Sequence, residues 1–385
     1  MSDITEIEGR ARTATNALFN GNKLKLGIFG LNCDSGCAMT LVDERHKLTW
    51  DLTKKVAQAA DKAGIEALVP VARWMGLGGP TNFNGRNFET YSWAAGLAAV
   101  TDHITLTTTS HVQTTHPVFA AKQAATIDHI SGGRYCLNVV CGWFHPELAM
   151  FGVPFMEHDA RYDYADEWLT IVKRLWTEEG SFSHHGKYFQ IEEAFAMPKP
   201  IQRPVPPVIN AGGSEKGRNF IASQCDIGYV VITDHNNKDA IRKQVAQYRA
   251  LAAEKYGREV QVWTHAYVVQ RDSDKEAEDY LRYFAVEKRN EEAVDNAAKY
   301  LGLNSEIMPE AAWQTFKLHL SGGYAGYSLV GSAQTIAERL AELSELGVDG
   351  VAIHWVDYLD GLSRFNAGVM PLLERAGLRK PFRPA

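Results

Sequence analysis

Short apolar runs alternate along this chain with longer amphipathic stretches. Residues 25–30, 66–70, 104–110, 134–140, 207–210, 226–232, 260–270 and 350–355 read as strands. Several are apolar at nearly every position, the pattern of strands buried on both faces. Between and after them, 48–64, 89–100, 117–130, a stretch from 158 onward, 215–224, 238–256, 333–346 and a closing stretch around 363–376 carry helical spacing. The punctuation agrees: Pro117 opens one helix, Gly64 closes another, and Ser131-Gly132-Gly133 separates helix from strand. Eight strands that each feed a helix predict an α/β fold, and at 385 residues a closed (β/α)8 TIM barrel is favoured over an open sheet.

Three stretches depart from the repeat. Residues 1–24 mix charges with Ala and Thr and lack an apolar core, so they read as a loosely held arm that packs on a partner subunit, not as a signal peptide. Residues 182–206 read as a small excursion with a proline-stiffened return, and 287–329 as a polar helical stretch that becomes glycine-rich. Residues 25–385 then form a single domain with two insertions, both expected on the active-site face.

Composition narrows the function. A net charge of −6 with no polybasic segment gives no footprint for nucleic acid. No apolar run approaches the ~20 residues of a membrane span, and the expected location is the cytoplasm. Five scattered cysteines argue against a disulfide framework. Cys33, Cys37 and His46 lack a second ligand pair, so no metal site is expected.

The candidate chemistry gathers around one segment. The run 134–140 carries a single amide, Asn138, near its carboxyl end, where parallel sheets bind ligands. Trp143, His145 and Glu147 follow in a loop, and Arg161 and Tyr162 fall in the first turn of the next helix, where an anion is favoured. Asn210-Ala211-Gly212-Gly213-Ser214 closes a strand and opens a helix. Gly213 and Ser214 suit a phosphate, although a tight turn with an ordinary N-cap has the same sequence. No GxxxxGK[ST] or GxGxxG element occurs, so a mononucleotide such as FMN fits better than NAD. Among the histidines, His354 closes the last strand and is a candidate acid or base near neutrality, or equally a packing residue.

AATIDHISGGRYCLNVVCGW followed by EHDARYDY resembles the flavin-dependent, bacterial-luciferase-like monooxygenases, in particular the branch of the pyrimidine, dimethylsulfone and alkanesulfonate monooxygenases. The resemblance runs from about Lys25 to Leu373. It implies a barrel that takes reduced FMN from a separate flavin reductase, uses dioxygen as co-substrate and assembles as a homodimer or homotetramer. Carried over residue by residue, it assigns Ala72, Arg73, Asn138, Glu147, Arg161, Tyr162 and Ser214 to the flavin, and Thr109 with Asn138 to dioxygen. That pair favours the flavin N5 atom over C4a as the one that reacts with oxygen. A hydroxyl and an amide at neighbouring strand ends suit negative charge that develops only on reaction, although buried, satisfied polar groups look the same in sequence.

Trp74, Trp143, His265, Tyr324 and Trp355 are the candidate substrate-pocket residues. His265 stands where the alkanesulfonate enzymes carry an arginine, and Ser321-Gly322-Gly323 lacks another. A sulfonate keeps its charge and is normally held by guanidinium groups. A small neutral substrate, a sulfone or an N-heterocycle such as a pyrimidine, is therefore expected. The loop after Arg73 and the stretch from Ser305 to Leu329 are expected to close as a lid. The alternatives are an F420-dependent hydride-transfer enzyme of the same superfamily, a non-catalytic luciferase-like subunit and a metal-dependent hydrolase.

Overall fold

The computed structural model describes residues 9–303 and 309–383. Eight parallel strands close into a barrel: β1 (Lys25–Phe29), β2 (Ala67–Val69), β3 (Thr105–His111), β4 (Tyr135–Val140), β5 (Val208–Asn210), β6 (Ile227–Tyr229), β7 (Gln261–Gln270) and β9 (Gly350–His354). Pairing runs in this order, and β9 returns to β1 with Gly350 opposite Lys25. The ninth strand, β8 (Tyr327–Gly331), lies outside the ring. It pairs with Ala266–Gln270, the carboxyl-terminal half of β7, which runs past the end of β9. The sequence reading absorbed β8 into the glycine-rich insertion, because a five-residue run with glycines on both sides carries little period.

Alternation along the strands sorts two shells. Leu26, Ile28, Leu106, Leu137, Val139, Val351 and Ile353 turn outward into the main core beneath the helices. Ala67, Cys136, Ile209, Ile227, Trp263 and Ala352 turn inward and fill the barrel. One tryptophan occupies the middle because most of its neighbours there are small. The barrel interior is a packed core, and a cavity opens at its carboxyl-terminal mouth.

Residues 9–24 are not a loose arm. Leu18 is fully buried and plugs the amino-terminal end of the barrel. Asn16 donates to the Tyr135 carbonyl (3.0 Å) and accepts from the Thr105 hydroxyl (2.8 Å), while Arg12 pairs with Asp226 at 2.7 Å. The segment holds through satisfied polar groups, which hydrophobic pattern does not reveal. Residues 1–8 lie outside the described residues.

The two insertions differ in where they are rooted. The hairpin of Phe182–His185 and Gln190–Ala194 belongs to a helix-to-strand connection, so it is rooted at the floor and not on the mouth side as expected, and its tip runs up helix His158–Thr177 until the Tyr188 hydroxyl donates to the Ala160 carbonyl (3.3 Å). Its return passes Gln202, which binds Asp128 (2.7 Å) and the Tyr135 carbonyl (2.8 Å). The later insertion follows the carboxyl end of β7 and does lie over the mouth, with helices Glu291–Tyr300 and Glu310–Gly323 packed around Met39, Phe83 and Phe144. Residues 304–308, including the Ser305 end of the expected lid, lie outside the described residues.

Candidate active site

A cavity of about 230 Å³ opens at the mouth, walled by the ends of β1 to β7, with Phe29, Val69, Ala211, Tyr229 and Val231 among its apolar members. Of the sequence candidates, Ala72, Arg73, Thr109, Asn138, Trp143, His265 and Tyr324 line it.

Thr109 and Asn138 face each other across the β3–β4 ladder. The Thr109 hydroxyl donates to the Pro70 carbonyl (2.7 Å), and Asn138 Nδ2 donates to the Thr109 Oγ1 (3.1 Å). A carbonyl only accepts, so the threonine proton is committed and the amide must present its nitrogen to Thr109. Asn138 keeps a second N–H, and its buried Oδ1 has no partner among the described residues.

The segment 70–75 is held at three points. Thr109 grips Pro70. Asn32 accepts from the Val71 N–H (2.9 Å) and donates to its carbonyl (2.8 Å). Glu147 accepts from Trp74 N–H (2.7 Å) and Met75 N–H (3.1 Å). Between these anchors, the N–H groups of Ala72 and Arg73 have no protein acceptor among the described residues. Glu147, expected to touch a cofactor, instead lies 1% exposed behind the wall, with Oε2 at 3.4 Å from Arg73 Nη1. The Arg73 guanidinium stacks over Trp143 and Phe144, at 4.9 and 5.4 Å from their ring centroids.

His265 Nε2 donates to the Tyr324 carbonyl (3.1 Å), and burial lowers its pKa, so the neutral ring keeps Nδ1 as an acceptor. Tyr324 caps helix Glu310–Gly323 in the left-handed region (φ 49°) and donates its hydroxyl to Asn84. His111 has no sequence signal that sets it apart from the other histidines near strand ends. It lines the cavity, and burial together with Arg73 pushes its pKa down to about 3.

Four expectations are corrected. His354 is fully buried beside the cavity, under Gly323, and burial with His265 nearby pushes its pKa to about 3. It is no acid or base near neutrality. Gly323 packs on its ring so closely that a Cβ there would overlap it. Trp355 turns away, into a groove with Arg271 and Tyr280, because successive strand residues point to opposite sides. Trp74 is 45% exposed on the outer rim, edge-on to Phe151 at 5.1 Å. Arg161 donates to the Gly142 carbonyl and stacks on Phe155, away from Ser214.

The glycine-rich turn closes onto a capped helix N-terminus. Ala211 links it to the cavity wall. Ser214 caps helix Glu215–Gln224, accepting from Gly217 N–H (3.1 Å), and the Tyr162 hydroxyl lies beside Gly217. Gly212 must be glycine, since a Cβ would strike Gly217 at 2.6 Å, whereas open space faces Gly213. The first N–H groups of that helix have no intrahelical acceptor. Among the described residues no group of His, Cys, Asp and Glu is arranged to hold a metal, and no helix is long and apolar enough to cross a membrane.

The family model for luciferase-like monooxygenases matches residues 28–350. The chain belongs to this family. It is 30% identical over 356 residues to the FMNH2-dependent dimethylsulfone monooxygenase of Pseudomonas putida, covering 91% of this chain and 95% of that one. It is 31% identical over 360 residues to a pyrimidine monooxygenase of Agrobacterium fabrum, covering 91% and 96%. The crystal structure of DmoA from Hyphomicrobium sulfonivorans superposes with a TM-score of 0.82 at 19% identity, covering 94% of this chain and 90% of that one, which shows the shared fold.

Proposed function

We propose that this chain is the oxygenating component of a two-component system, binding reduced FMN from a separate reductase and passing one oxygen atom of O2 to a small neutral organic molecule such as a sulfone or an N-heterocycle. The observation that carries this reading is the Thr109–Asn138 pair, set in a cavity whose wall reaches Ala211, three residues before the helix cap Ser214. The unpaired N–H groups of Ala72 and Arg73 fit the acceptor edge of a flavin ring, and Ser214, Tyr162 and the open face of Gly213 fit its phosphate. Reduced FMN, when bound, supplies the two electrons that split dioxygen, one atom going to the substrate and one to water.

The protein's own part is positional. Asn138 directs its second N–H at oxygen, and Thr109, its proton spent on Pro70, fixes the angle of that amide. Phe29, Tyr229, Val231 and Tyr324 exclude water, and neutral His265 offers Nδ1 to a substrate N–H. The relatives' names support sulfones and pyrimidines as the substrates to try first. With a flavin reductase and labelled dioxygen, the product should carry one labelled atom. A label entering from water, or flavin oxidation without product across both substrate classes, would reject this reading.

A further inference from the structure

The cavity wall contains one fixed charge. Arg73 lines it, no aspartate or glutamate does, and burial keeps His111 and His265 neutral. Arg161 is turned to the Gly142 carbonyl. The carboxylate that answers Arg73 is Glu147, one layer behind the wall. Its two oxygens have separate tasks. Oε1 takes both backbone N–H groups of the 74–75 loop, and Oε2 faces the guanidinium at 3.4 Å and His111 Nδ1 at 4.0 Å. Holding the loop needs only one acceptor oxygen, which a glutamine would also supply. The negative charge therefore has a task beyond the loop.

The other groups around Arg73 are uncharged. Its Nη1 lies 3.4 Å from the Ala72 carbonyl, the Tyr324 hydroxyl is close by, its Nε is buried without a partner among the described residues, and its faces are covered by Trp143 and Phe144. Without Glu147 this guanidinium would be an uncompensated cation in an apolar cavity, the arrangement that captures carboxylates and sulfonates.

We infer that Glu147 sets the charge preference of the site: by neutralising Arg73 within the wall it turns anions away and leaves the cavity to neutral molecules. The inference rests on the reading of this cavity as the substrate site and assigns its selectivity to one buried residue. An entering anion would meet the repulsion of Glu147 and lose its own hydration, with no free cation to repay either. A neutral sulfone or amide avoids both costs.

Three probes of similar shape test this without flavin or turnover: methanesulfonate, dimethylsulfone and trimethylsulfonium, titrated against the fluorescence of Trp143 at the mouth. E147Q should gain at least about tenfold for methanesulfonate relative to dimethylsulfone, as expected for a unit charge exposed a few ångströms away in a partly buried site. R73M should shift the other way, toward trimethylsulfonium. The double variant R73M/E147Q should return to the neutral preference. Collisional quenching of Trp143 by iodide against acrylamide gives the same comparison without a bound complex, and R73M serves should E147Q not fold. Unchanged charge preference in folded E147Q or R73M, or anion uptake that persists in the double variant, would overturn the inference. If the wild-type protein itself prefers methanesulfonate, the neutral-substrate reading fails, whereas the shift between wild type and E147Q still judges Glu147.

Discussion

Asn138 and Thr109 do different work despite their contact. The proton order from Asn138 through Thr109 to Pro70 leaves the amide as the single donor of the pair toward a bound oxygen. Asn138→Ala should bind reduced FMN normally but lose about 10²–10³ in coupled turnover, the usual loss for one removed donor of this kind. Thr109→Val should fall between wild type and Asn138→Ala, since it releases the amide without deleting it. Oxygen consumption measured against product formation separates the two, and full coupling in Asn138→Ala would remove its role. Asn138 was legible in sequence because a lone amide near the end of an apolar run is conspicuous, whereas Thr109 was named only through the family resemblance. His354 was misplaced for a related reason. Gly350, Val351, Ala352, Ile353 and His354 are all buried, so the sequence holds no polar face to say how deep the last residue lies.

At the scale of elements, the ceiling of the site depends on how closely helix Glu310–Gly323 seats on the barrel. Gly323 rests on the His354 ring, and Tyr324 hangs over the cavity from the end of that helix. Gly323→Ala should lift this seat, costing roughly 1–3 kcal/mol in stability as overpacking does and weakening cofactor binding. Denaturant unfolding and limited proteolysis would register it. A variant with unchanged stability and unchanged protection would show that the seat carries no strain. The insertion's position after β7 followed from counting strands, but the contact of Gly323 with His354 did not, because it joins two residues only through the closed barrel. The same holds for Glu147, whose grip on Trp74 and Met75 spans 73 and 72 residues. Periodicity reports on neighbours a turn or a strand away, not on such ties.

Across the whole molecule, the floor is clasped by a buried ion pair. Arg379 near the carboxyl terminus meets Glu66 at 2.7 Å, and Glu66 also accepts from Leu26 N–H, Asn20 and Asn22. Glu66→Ala leaves the guanidinium buried and unpaired and should cost about 3–5 kcal/mol, read as a lower denaturation midpoint. A change within experimental error would mean that water or another group replaces the carboxylate. Acid should unfold the protein by a second route. His111 and His354 have pKa values of about 3 when folded, against 6.5 for the free side chain. Their depressed values mean that the unfolded chain binds more protons, so stability present above about pH 6.5 is lost as pH falls toward 3. Melting followed from pH 7 to pH 4 should show this decline, and substituting either histidine with an apolar residue that leaves the protein folded should flatten it.

On the proposed reading, the cavity and the turn at Ser214 together hold reduced flavin. An anaerobic titration with oxidised and with reduced FMN, followed by mixing with oxygenated buffer, tests this. Reduced FMN should bind more tightly, Ser214→Ala should weaken that binding, and reoxidation should be slow and altered by Asn138→Ala. Failure to bind either form of FMN, or binding indifferent to Ser214 and Ala72–Arg73, would contradict that reading.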